Sequence, residues 1–182
     1  MQHELIIAGF GGQGVLSMGK ILAYSGLTEG KEVAWYPSYG PEQRGGTANV
    51  TVILSDERIS SPVLNEYDIA VVLNQPSLDK FEKTVKKDGI LLYDSSAITR
   101  KPSRKDIRIF EMNAFNTANG EGLGKVFNMM VLGGVLKVVP MVKLENVLAG
   151  LKKSIPERHH KYLPMNEKAI LRGMELIQEI TN

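Results

Sequence analysis

The spacing of apolar residues switches repeatedly between strand-like and helix-like patterns. Leu5-Ile6-Ile7-Ala8 is an unbroken apolar run of the length of a buried strand, and it leads directly into Gly9-Phe10-Gly11-Gly12-Gln13-Gly14. From Val15 to Thr28 the period becomes helical. Val15, Met18, Leu22 and Leu27 fall on one face, and Gly30 supplies a stop. Glu32–Tyr36 reads as a second strand ended by Pro37, and the β-branched run Ala48–Leu54 as a third. Asp68–Leu73 is a continuous apolar strand of the kind buried in parallel sheets. Pro76–Lys86 suits a helix with proline in its first turn. Ile90–Tyr93 and Ile107–Phe110 are two further strands, and helices are expected over 124–139, 143–153 and 166–180. Strands and helices alternate first and helices come last. That order predicts a single three-layer α/β domain over 1–182, with a mainly parallel or mixed, Rossmann-like sheet and a helical C-terminal portion.

Composition narrows the chemistry. With 182 residues, 43% of them hydrophobic and 23% charged, the chain can bury a core without covalent staples. A net charge of +2 is too small for a nucleic-acid footprint. The absence of cysteine removes disulfides, thiol nucleophiles and thiolate ligands for iron–sulfur clusters. Met1-Gln2-His3-Glu4 does not begin a signal peptide. The apolar stretch between Lys125 and Lys137 is shorter than the roughly 20 residues of a membrane span. A cytoplasmic protein is the expectation.

Candidate chemistry lies in two glycine-rich blocks. Gly9, Gly11 and Gly14 satisfy G-x-G-x-x-G between a strand and a helix, where a tight turn and a helix N-terminus favour an anion. A nicotinamide or flavin site would also want an acidic residue at the end of the second strand. That strand ends Ala34-Trp35-Tyr36-Pro37, and Glu32 stands at its beginning. Three readings stay open at this block: a dinucleotide, a bare structural turn, and a phosphate or partner subunit. The second block, Tyr36–Thr47, holds two prolines and three glycines and reads as a shaped loop at the carboxyl end of the second strand, beside the first turn. Its polar groups are Tyr39, Glu42, Arg44 and Thr47. Arg44 suits a carboxylate or phosphate, Glu42 can orient it, and Gly45-Gly46 lets backbone amides approach an anion. The candidate binding set is Gly9, Gly11, Gly12, Gln13, Gly14, Tyr39, Gly40, Glu42, Arg44, Gly45, Gly46 and Thr47.

Other features carry less. His159-His160 point apart on a helix and make a poor metal clamp. Asp94-Ser95-Ser96 reads as a strand-end turn or cap, and the basic segment Arg100–Arg108 as a solvated face. Asn128, inside an apolar helix, is placed to tie that helix to the glycine loops or to meet a partner, and Gly133-Gly134 allow close helix–sheet packing. No residue stands out as a self-sufficient catalyst, and no metal site is expected.

The two blocks together carry a resemblance. Gly9-Phe10-Gly11-Gly12-Gln13-Gly14 followed by Tyr39-Gly40-Pro41-Glu42-Gln43-Arg44-Gly45-Gly46-Thr47 resembles the gamma subunit, or gamma domain, of 2-oxoacid:ferredoxin oxidoreductases. These are the pyruvate, 2-oxoglutarate, branched-chain 2-oxoacid and indolepyruvate enzymes. Ile59-Ser60-Ser61-Pro62, the strand opened by Asp68, and Asn128-Met129-Met130-Val131-Leu132-Gly133 extend the likeness over nearly the whole chain. It implies a subunit of an enzyme that decarboxylates a 2-oxoacid on thiamine diphosphate and Mg. The acyl group passes to coenzyme A, and the electrons pass through iron–sulfur clusters to ferredoxin. The resemblance places these cofactors mainly on alpha, beta and sometimes delta partners. The two blocks of this chain would face the coenzyme A region, with 2-oxoglutarate or a branched-chain acid as substrate. The rival expectations are an assembly-only subunit and a NAD- or flavin-binding Rossmann reductase. Nucleic acid and membrane are not expected partners.

Overall fold

The computed structural model describes residues 1–39 and 47–180, and of Tyr39 only the backbone. Gly40, Glu42, Arg44, Gly45 and Gly46 lie outside the described residues. A seven-stranded mixed sheet organises the chain, ordered β2-β3-β1-β4-β5-β6-β7. Its strands are β1 Gln2–Phe10, β2 Glu32–Tyr39, β3 Thr47–Ser55, β4 Tyr67–Val72, β5 Val85–Asp94, β6 Arg108–Met112 and β7 Gln178–Ile180. β1, β4, β5 and β6 run parallel, β3 lies antiparallel between β1 and β2, and β7 closes the far edge antiparallel to β6.

The helices are α1 Val15–Thr28, α2 Gln75–Phe81, α3 Ala114–Gly120, α4 Phe127–Val138, α5 Leu144–Ser154 and α6 Leu163–Leu176. Side chains alternate across each strand, so the sheet buries two separate cores. On one face Leu5, Ile7, Val50, Val52, Leu54 and Val71 meet α1 and the C-terminal helices. On the other, Ile6, Ala8, Ala70, Val72, Leu91 and Tyr93 meet Leu78 and Phe81 of α2. α1 and α2 therefore cover opposite faces.

Several local expectations need correction. β2 runs through Pro37 to Tyr39, so Tyr36–Tyr39 and Thr47 are strand and not loop. Pro37 is tolerated because β2 is an edge strand, where a missing N–H need not break a ladder. The helix expected over Pro76–Lys86 stops at Phe81, a 3-10 turn follows, and β5 starts at Val85. α3 is a further short helix over Ala114–Gly120, and the last expected helix ends at Leu176, with β7 following. Leu27 lies off the buried face of α1, at 57% exposure. Gly133 serves a helix–helix crossing, because a Cβ there would strike the Ile170 backbone of α6. Gly134 does face the sheet, where its Cβ would come 2.9 Å from the Met112 sulfur.

Candidate functional site

β1 and β4 are parallel neighbours, paired from Leu5↔Ile69 to Ala8↔Val72. The chain leaves β1 into α1 on one face and leaves β4 into α2 on the other. A crevice must open beyond the carboxyl ends of two such strands, and open α/β sheets bind ligands there.

The glycine turn forms one wall of this crevice. Gly11 and Gly12 are exposed at its tip, and Phe10 is 37% exposed beside them. Gly12 has φ 91° with nothing within 4 Å of a built Cβ. Gly14 is the N-cap of α1 at φ 75°, and its space is filled by Asn128. Gly9 must lack a side chain because a Cβ would crowd Gln13, Leu73 and Val15. Gln13 fastens the turn: its Oε1 accepts from Phe10 N at 2.6 Å, and its Nε2 donates to Leu73 O at 3.3 Å. The amide thus ties β1 to β4 across the mouth of the crevice. Asn128 Nδ2 donates to Gly14 O at 3.4 Å, so the expected tie between the C-terminal helix and the glycine turn is present.

The second block is only partly described. Tyr39↔Ala48 is the last pair of the β2–β3 hairpin, and Thr47 pairs with Phe10 of β1. The strand ends that flank residues 40–46 therefore meet the sheet edge where the glycine turn begins. Tyr39 and Thr47 are brought to that edge. Arg44 and its neighbours lie outside the described residues.

Beyond the crevice, at the carboxyl ends of β4 and β5, lies a buried polar cluster, in which Asp94 forms the strand-end turn and cap expected of Asp94-Ser95-Ser96. Asn74 caps α2, its Oδ1 accepting from Ser77 N at 2.8 Å. Asp94 ends β5; its Oδ1 accepts from Ser96 N at 3.1 Å, Ser96 Oγ at 2.8 Å and Ala114 N at 3.1 Å. One carboxylate thus starts both the 3-10 turn Ser95–Ala97 and α3. Burial pushes the Asp94 carboxyl above the usual aspartate range, against the lowering effect of those donors. Asn74 Nδ2, Ser77 Oγ and Asp94 Oδ2 are buried without a protein partner. In the next layer the Tyr93 hydroxyl donates to the Glu111 carboxylate, and burial with that carboxylate raises the phenol's pKa. A signal for this cluster was available in the sequence: polar residues directly after apolar strands, at 74 and 94.

Glu32 pairs with Ser55 at the opposite end of β2, so no acid stands where a dinucleotide's ribose would need one among the described residues. The basic segment is a solvated face, as expected, and several of its cations are paired. Arg100 pairs with Asp79 and Arg104 with Asp106, and Arg108 holds Glu179 of β7 through two bonds of 2.8 and 3.0 Å. His159 stacks edge-on against Tyr162, while His160 Nε2 lies 3.1 Å from Lys152 O.

A family model described as "Pyruvate ferredoxin/flavodoxin oxidoreductase" matches residues 4–176. The chain is 41% identical over 175 residues to ketoisovalerate oxidoreductase subunit VorA of Methanothermobacter thermautotrophicus, covering 95% of this chain and 36% of that protein. It is 32% identical to 2-oxoglutarate synthase subunit KorC of Methanocaldococcus jannaschii, over 99% of this chain and 96% of that one. The crystal structure of a keto/oxoacid ferredoxin oxidoreductase gamma subunit from Geobacter sulfurreducens superposes with a TM-score of 0.84 at 30% identity, covering 97% of this chain and 96% of that one. The chain thus spans about a third of the VorA relative and nearly all of the KorC relative.

Proposed function

The chain belongs to the pyruvate ferredoxin/flavodoxin oxidoreductase family, and on that premise we propose that it is the gamma-type subunit of a 2-oxoacid:ferredoxin oxidoreductase. One observation carries the proposal beyond family membership. The KorC relative is a chain of the same extent, whereas the VorA relative carries the matching region within a longer protein. A unit that occurs both alone and fused is one that works against the same neighbours in either arrangement. A branched-chain 2-oxoacid is the first choice of substrate, because the VorA relative is the more similar of the two, and 2-oxoglutarate is the second.

In this reading alpha and beta partners hold thiamine diphosphate, its Mg ion and the iron–sulfur clusters. The chain's own residues do not fit a cluster, for it has no cysteine to supply thiolates. Thiamine diphosphate supplies the carbanion stabilisation that decarboxylation needs. The chain contributes a wall to the coenzyme A region. Gln13 holds the glycine turn rigid, Gly11 and Gly12 let a ligand reach backbone amides, and the N-terminal end of α1 favours negative charge. Arg44, on the block that joins β2 to β3, would bind a phosphate of coenzyme A or the substrate carboxylate. Electrons leave the complex to ferredoxin, and the site of action is the cytoplasm.

Co-expression with candidate alpha and beta chains tests this. The purified complex is expected to reduce ferredoxin in the presence of 3-methyl-2-oxobutanoate and coenzyme A, and to lose that activity when this chain is omitted. Full activity without this chain would overturn the proposal.

A further inference from the structure

A cleft of about 430 Å³ opens on the helical side of the molecule, walled by α1, α4, α5 and the start of α6. Such a volume lies in the range of small-molecule sites. Its floor is apolar, formed among others by Ile21, Met129, Leu151 and Met165. Lys20 of α1, Lys125 just before α4 and His159 just before α6 also line it, and no acidic side chain among the described residues does. Neither lysine forms an ion pair among the described residues. The N-cap residues of α4 and α6, Val126 and Tyr162, both line the cleft, and neither helix is capped by a side chain. Two helix starts and two lysines therefore border one apolar-floored space; the Lys20 ammonium stands 5.8 Å from the centroid of the Tyr24 ring and reaches the space by a change of rotamer.

We propose that this cleft binds a nucleotide, holding its phosphate between Lys20 and Lys125 and its nucleoside on the apolar floor against the His159–Tyr162 pair. The cation type selects the anion. Guanidinium suits planar, two-point recognition of carboxylates, whereas Lys acts as a point charge on phosphate, and the cleft has only lysines. A terminal phosphate carries about −1.5 to −2 charges at pH 7, which two ammonium groups match. His159 and Tyr162 stand edge-on with centroids 6.2 Å apart and offer a partly exposed aromatic wall to a planar base. Asn128 reaches from the cleft lining to Gly14 O, so an occupant would touch the residue that braces the glycine turn. The proposal is independent of the assembly described above: its ligand is a free nucleotide, and coenzyme A is an alternative that the test separates.

Calorimetric titration of the purified 182-residue chain with AMP, adenosine, inorganic phosphate and coenzyme A distinguishes the outcomes. AMP is expected to bind at least 10-fold tighter than adenosine or phosphate. Lys20→Ala with Lys125→Ala is expected to weaken AMP by roughly 10- to 100-fold, as for loss of charge-assisted bonds, while leaving the melting temperature unchanged. Binding of AMP without competition from coenzyme A would support the proposal, and competition would assign the cleft to the coenzyme A region already described and overturn it as a separate site. Equal affinity for AMP and adenosine, no AMP binding at millimolar concentration, or AMP binding indifferent to both substitutions would each overturn the proposal. An oxidoreductase inactive without this chain but with no nucleotide in this cleft would leave the assignment of the subunit standing and remove only this site.

Discussion

Gly14→Ala is the most informative single change, because its cost divides into two parts that can be measured separately. The first part is backbone: Gly14 sits at φ 75°, ψ 20°, and a non-glycine residue in the left-handed region costs about 1–2 kcal/mol. The second part is steric. The new Cβ would lie 2.7 Å from Asn128 Cγ and collide with the amide nitrogen as well. Asn128 would have to swing away and give up its bond to Gly14 O, a loss of about 0.5–1.5 kcal/mol. The total is about 1.5–3.5 kcal/mol. Gly12→Ala is the control: it has φ 91° and open space around its Cβ, so it should incur only the first part.

For a chain of this size each kcal/mol lowers Tm by about 2–4 °C. Thermal and urea melts of both variants, each made also with Asn128→Ala, form a double-mutant cycle. In the Asn128→Ala background Gly14→Ala should cost less than in the parent and approach the cost of Gly12→Ala, keeping only the 3.0 Å contact with the Cβ at position 128. If the two substitutions at 14 and 128 add without coupling, Asn128 does not brace the turn, and the glycine at position 14 answers to backbone conformation alone.

Three further outcomes are expected. Arg44→Ala should leave the melting curve of the isolated chain within about 1 kcal/mol of the parent, as for the loss of one side-chain charge; in the reconstituted complex it should lower kcat/KM for the oxoacid or coenzyme A by roughly 10- to 100-fold, and unchanged kinetics in a normally assembled complex would remove Arg44 from the site. Asp94 has a folded-state pKa raised by burial, so stability falls as the pH rises from the ordinary aspartate pKa to the raised one and is level beyond it; urea melts should therefore show Asp94→Asn gaining on the parent across that window and then holding its gain, and no gain from acid pH to neutrality, or a change the other way, refutes the assignment. NAD should bind no better than millimolar, about −4 kcal/mol, because β2 brings no acid to the crevice; micromolar calorimetric binding would restore the dinucleotide reading.

What the sequence determined by itself was local. The bounds of α1 were legible because its helical period starts at a glycine and stops near another, both within a window of about 15 residues. The glycine turn was legible because only that residue accepts such backbone angles, and the buried parallel strands because unbroken apolar runs have no other stable place in an α/β fold. The tertiary structure decided everything that joins distant segments. It inserted β3 antiparallel between β1 and β2, which carries the flanks of the Arg44 block to Phe10. It brought Asn128 onto Gly14, 114 residues away. It turned the end of the chain back as β7, fixed by Arg108 on Glu179. It also assembled the polar cluster at Asn74 and Asp94 and the cleft between four helices. Hydrophobic periodicity reports which face of an element is buried, but not which element covers it. That choice is made by packing and strand pairing over long sequence separations, and both crevice and cleft exist only between elements.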